Sequence, residues 1–269
     1  RKLSKDQMVS FKLRTDPTQA TSTTYELTIP ILIGDEGVRP AIEWAKKLQT
    51  VCVGMNAASP DAKKNLYLRT LSQELRNKFN VGYEQRNMEL WAAERQRRRV
   101  AGEAAGEAEA TIRTAVQAVA KPAPDISCVD LGIQLVLTHC FPYKVLARVK
   151  RQLRRSSRKP HDMTVNEYFS AILRINEEEL PMLPPLFNET QRLPEEELLE
   201  IIYYGIPNSW KNEMTKQGFD PLDGDMLAFR EFCERMEDLP DFQKVESKKN
   251  DGLKKHKPNG KPKSDKPSG

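Results

Sequence analysis

Apolar residues alternate at the start of the chain. Val9, Phe11 and Leu13 fall on one side of an extended segment, and Tyr25, Leu27, Ile29, Ile31 and Ile33 continue the period of two beyond a polar loop holding Asp16 and Pro17. Strand side chains point alternately to opposite faces, so residues 1–34 are predicted to form an extended or β-hairpin segment. After Gly34 the spacing becomes helical. Pro40 suits a first turn, Ile42, Ala45, Leu48 and Cys52 follow at helical steps, and Gly54 is placed to stop the helix. Ser59 and Pro60 read as N-cap and first helical residue, leading to Leu68, Leu71, Leu75 and Phe79 along one face.

Residues 86–120 are rich in Ala, Glu and Arg, with few large apolar side chains beyond Trp91, Ile112, Val116 and Val119. They read either as a long, lightly packed helix or as an inserted arm. Ala101, Ala105 and Ala108 would let another helix come close. The string Lys121, Pro122, Ala123, Pro124 ends this stretch and marks the expected boundary between a first helical domain, 35–124, and a second, 125–242.

The second domain opens with Ile133, Val136, Leu137 and Cys140 on one helix face, broken at Pro142. Next, Leu146, Val149 and Leu153 form an apolar stripe, with Lys144, Arg148, Arg151 and Arg155 nearly opposite. Thr164 and Glu167 make a capping box, so a helix starts there and buries Val165, Tyr168, Phe169, Ile172 and either Ile175 or Asn176. Pro181, Pro184 and Pro185 end it. Three more helices are predicted over 194–204, 208–217 and 225–238, with Trp210 and Phe219 placed in the core. In the first of these Leu198, Ile201 and Ile202 cluster on one side, while Leu199 and Tyr203 point to another. That second group needs a neighbouring helix or another subunit.

Charge separates the tail from the rest. Residues 243–269 hold nine lysines against Glu246, Asp251 and Asp265, a net of +6 where the whole chain has +5. With no aromatic residue past Phe242, this tail cannot build a core and is expected to be disordered. Lys248, Lys249, Lys254, Lys255, Lys257, Lys261, Lys263 and Lys266 suit phosphate neutralisation without sequence readout, or else form a solubilising linker. The whole chain, 38% hydrophobic and 30% charged over 269 residues, is long and apolar enough for a core without disulfides or metals. No apolar run approaches the ~20 residues of a membrane helix. Together with four dispersed cysteines, this points to a cytoplasmic protein, and the start at Arg1 to a trimmed chain.

Enzyme signatures are missing from the sequence. It has no glycine-rich phosphate loop, no G-x-S-x-G elbow, no Asp-Thr-Gly or Asp-Ser-Gly triplet, and its histidines, His139, His161 and His256, lack partners at metal-ligand spacing. The expectation is no catalysis, no cofactor, no metal and no small-molecule substrate.

Two segments carry a family likeness: TVNEYFSAILRINEEELPMLPP (164–185), and YYGIPNSWKNEM (203–214) followed by KQGFDPL (216–222). Together they resemble the capsid region of Gag from gypsy-type LTR retrotransposons. That resemblance implies an all-α, two-domain retroviral-capsid-like fold, here with an added N-terminal β segment and basic tail. It implies a cytoplasmic protein that self-assembles into a virus-like shell and packages RNA, with dimer contacts on the helix carrying Leu199 and Tyr203. The alternative is a monomeric, capsid-derived RNA-binding or adaptor protein. The glutamine, glutamate and arginine that bond to one another in the retroviral homology region have no clear match here. Nor does the Cys-Cys-His-Cys zinc knuckle common in that family, and 86–120 reads as an insertion.

Overall fold

The computed structural model describes residues 8–16, 18, 19, 21–156, 158–221 and 225–239. Among them are ten α-helices and one two-stranded sheet, an all-helical fold with a short β segment. The chain divides into two compact units, the first of residues 1–147 and 179–191, the second of 148–178 and 192–269.

In the first unit, β1 (Met8–Arg14) and β2 (Thr24–Pro30) form the expected antiparallel hairpin, with Phe11 opposite Leu27 and Val9 opposite Ile29. Phe11, Leu13 and Ile29 are buried. The alternation does not run on to Ile31 and Ile33. After Pro30 the Leu32 N–H donates to Thr70 O and Leu32 O accepts from Ser72 N–H, which turns Leu32 inward and leaves Ile33 exposed.

The same contact splits the helix expected from Pro60 through Phe79. α1 (Val38–Gly54) is followed by α2 (Pro60–Arg69) and then α3 (Gln73–Ala104). Between α2 and α3 the Thr70 carbonyl is taken by Leu32, while the Thr70 hydroxyl donates to Tyr67 O and accepts from Trp44 Nε1–H. Ser59 does cap α2, accepting from Ala62 N–H. The rings of Trp44, Tyr67, Phe79 and Tyr83 run in sequence through the core, with neighbouring centroids 5.6, 5.9 and 6.3 Å apart.

Over residues 86–120 the long, lightly packed helix forms, and in that stretch only Asn87, Gly102 and Ile112 are buried. α3 spans 32 residues, about 48 Å at 1.5 Å per residue. α4 (Glu109–Gln117) then folds back along it. Trp91 Nε1–H donates to Val119 O at 2.9 Å, Arg98 grips Glu107 at 2.8 Å, and Ile112 packs against Gly102. The close approach uses Gly102; Ala101, Ala105 and Ala108 are exposed.

α5 (Ile126–Cys140) belongs to this first unit, not to the second as its position after the Pro-rich string implied. It lies against α3 because Gly82 and Gly132 carry no Cβ. One built at Gly82 would come within 2.7 Å of Leu131 O. The division between units therefore falls at residue 147 instead of 124.

The second unit begins within α6 (Val145–Ser156) and contains α7 (Val165–Arg174), α8 (Glu195–Gly205), α9 (Asn208–Gln217) and α10 (Met226–Asp238). α7 opens with the full capping box, Thr164 Oγ1 accepting from Glu167 N–H and the Glu167 carboxylate accepting from Thr164 N–H. Phe169 meets Phe229 of α10 edge-on at 5.5 Å, and Phe232 stacks on Phe219 at 4.8 Å. Phe219 is only half-buried, because it leaves α9 through left-handed Gly218 at the edge of the unit.

Of Ile175 and Asn176, the asparagine is the buried one. Its Oδ1 accepts from Leu193 N–H at 2.7 Å and its Nδ2 donates to Leu193 O at 3.2 Å. One side chain thus closes the base of the excursion from 177 to 192. Gln191, also buried, donates to Leu180 O and Leu183 O within that excursion. Each buried amide satisfies backbone groups that would otherwise cost about 1–3 kcal/mol apiece.

Candidate interaction surfaces

The second apolar group of α8, Leu199 and Tyr203, needs either a neighbouring helix or another subunit. Leu198, Leu199, Ile201 and Ile202 are all 5% exposed or less, and the helix packs against α7. Leu199 is therefore a core residue, because burial of this short helix extends round both of its apolar sides. What remains outward lies at its C-terminal end. Tyr203 is half-buried, Tyr204 is 70% exposed, and their rings meet edge-on at 5.6 Å.

Lys211 of α9 fixes this pair. Its Nζ donates to Tyr204 O at 3.1 Å and sits 5.3 and 5.8 Å from the Tyr203 and Tyr204 ring centres. Partial burial lowers the Lys211 pKa, and the nearby Arg158 charge lowers it further. Ammonium-to-ring attraction contributes about 0.5–2 kcal/mol per contact. The sequence singled out Tyr203 but not Tyr204 or Lys211, since seven residues separate Tyr204 from Lys211 across a turn whose path periodicity does not specify.

A second surface is the cationic side of α6. Val145 and Leu153 are buried, while Arg148, Arg151 and Arg155 are exposed. Arg154, rotated away from those three, bonds Glu197 at the start of α8.

The first unit has a cavity of about 470 Å³ between α1, α2 and α5, lined by Cys52, Val53, Lys63, Tyr67, Ile126 and Asp130 among others. Val53 and Ile126 are exposed at its rim. Burial raises the Cys52 thiol pKa, and Cys140 and Cys233 are each pushed up to about 12 by burial first. All four cysteines are buried and free. Among the described residues no three His, Cys, Asp or Glu side chains gather as a metal would require, and no single helix is long and apolar enough to cross a membrane. His139 faces Glu74 at 3.1 Å.

The tail lysines, Lys248, Lys249, Lys254, Lys255, Lys257, Lys261, Lys263 and Lys266, lie outside the described residues. Trp210 is in the core, at 2% exposure. Comparison with protein-family models, with curated proteins and with solved structures finds no match.

Proposed function

We propose that this chain is a capsid-like shell subunit of the retrotransposon Gag type, which associates with copies of itself and holds RNA through its lysine-rich tail. The observation that carries the self-association half is the Tyr203–Tyr204 pair. A 70% exposed tyrosine, held against a second ring and a lysine at the end of a helix whose leucines and isoleucines are buried, is the kind of rigid aromatic anchor that protein interfaces favour. The RNA half rests on the charge of 243–269, and the Gag assignment on the sequence likeness of 164–185 and 203–222.

Shell growth needs only weak contacts, because each subunit makes several and symmetry closes them. RNA bound by the tails would raise local subunit concentration and so couple cargo to assembly. Light scattering across protein concentration, with and without single-stranded RNA at low and high salt, tests this. Growth into large particles, promoted by RNA and weakened by salt, is the expected result. A mass fixed at one subunit that still binds RNA would replace the shell with a monomeric RNA-binding adaptor.

A further inference from the structure

Three arginines of α6 occupy one narrow strip. At 100° per residue, Arg148, Arg151 and Arg155 fall within a 60° arc, and the seven steps from first to last cover about 10.5 Å of helix. All three are exposed. Among the described residues none of them meets a carboxylate, whereas neighbouring Arg154 takes Glu197. We propose that this strip is a second nucleic-acid contact, in which the guanidinium groups of Arg148, Arg151 and Arg155 take the phosphate backbone of RNA on the folded unit itself.

Three carboxylates of the same unit are already engaged elsewhere. Glu197 is held by Arg154, Glu195 accepts from Met226 N–H, and Glu237 holds Lys159 and Val165 N–H. Since none of the described carboxylates meets Arg148, Arg151 or Arg155, the fitting occupant of the strip is an external polyanion. A planar guanidinium offers paired donors that match phosphate oxygens, and three in a row suit a repeating backbone better than a single anion. A bilayer surface fits less well. The apolar side of α6 that would enter the acyl region includes Val145 and Leu153, both already buried in the protein.

This inference rests on reading the chain as an RNA holder but not on its assembling, so the two can fail separately. The test compares the full chain with Arg148→Gln, Arg151→Gln and Arg155→Gln combined, and with Lys254→Gln, Lys255→Gln and Lys257→Gln combined. Binding of a short mixed-sequence single-stranded RNA is measured against salt, with particle mass recorded in parallel. Three lost phosphate contacts lower the log–log salt slope by about 2. That loss in the α6 variant, with unchanged thermal melting and with recovery when the three positions carry lysine, supports the inference. A slope that changes only in the tail variant overturns it, as does absence of RNA binding by the unaltered chain. Loss of binding to phosphatidylserine vesicles with the RNA slope unchanged also overturns it, in favour of a membrane surface. Failure of mass to grow while the α6 effect stands removes the shell and leaves this contact in place.

Discussion

Lys159 Nζ lies 2.9 Å from Glu237 Oε1 although only 3% of the lysine side chain reaches solvent. The ammonium also donates to Met163 O at 2.5 Å and lies 5.5 Å from the Trp210 ring centre. Its backbone N–H is taken by Gly205 O, and the other Glu237 oxygen accepts from Val165 N–H. This one pair therefore ties the segment before α7 to the end of α8, to α9 and to α10.

Removing the carboxylate would strand a buried charge. Glu237→Ala is expected to cost about 3–5 kcal/mol, the range for a buried pair broken on one side. Lys159→Met is expected to cost less. Glu237 is 30% exposed and keeps the Val165 N–H, so its leftover charge is not stranded. Urea unfolding followed by Trp210 fluorescence in a background with Trp44→Phe and Trp91→Phe compares the two, and equal losses would show that the lysine is not the stranded partner.

Packing of α5 on α3 gives a second pair of variants. A Cβ at Gly82 meets backbone, Leu131 O at 2.7 Å and Gly132 N at 3.0 Å, whereas one at Gly132 meets the Phe79 ring at 3.0 Å. A ring can shift by a few tenths of an ångström; a backbone carbonyl inside a helix cannot without moving the helix. Gly82→Ala should then cost about 1–3 kcal/mol and Gly132→Ala less. Differential scanning calorimetry of both would show the order, and a smaller effect at Gly82 would contradict it.

The elements legible in the sequence are those whose causes are local. Thr164 and Glu167 sit three residues apart and satisfy each other, so the start of α7 needed no distant contact. Ser59 with Pro60 is the same case. Where the sequence reading failed, the cause came from elsewhere in the chain. Leu32 breaks the α2–α3 helix from some forty residues upstream, and Gly82 draws α5 into the first unit. Lys159 sits in a run of basic residues that gives no hint of its burial. At the candidate surfaces, Tyr203 and the α6 arginines could be found by periodicity. Tyr204 became distinct only because Leu199, on the other side of α8, is inside.

Acid should loosen the starts of α5 and α7 before the cores. Thr164's backbone and side chain lower the Glu167 pKa below its ordinary 4.5, and Ser127's hydroxyl lowers that of Asp125, the N-cap of α5, below 3.8. A carboxylate with a depressed folded pKa contributes stability that is present above its unfolded pKa and lost as pH falls through the folded one. Both contributions are thus complete at neutral pH and fade below about pH 4.5. In chemical denaturation from pH 7 to 2.5, Asp125→Asn with Glu167→Gln should show a shallower acid limb than the unaltered chain. An acid limb of the same slope would assign acid loss to other groups.

Leu199 and Tyr204 lie on one short helix and should answer opposite questions. Leu199 is 3% exposed, so Leu199→Ala opens a cavity and should cost about 2–5 kcal/mol of folding stability. Tyr204 is 70% exposed and its backbone carbonyl, the acceptor for Lys211, survives substitution. Tyr204→Ala should therefore leave the melting temperature nearly unchanged. If the Tyr203–Tyr204 end of α8 is the contact between copies, the same variant weakens self-association by about 2 kcal/mol, roughly thirtyfold in the association constant. Sedimentation equilibrium with thermal melts on both variants separates the effects. A Tyr204→Ala chain that associates as strongly as the unaltered one would move the contact away from α8.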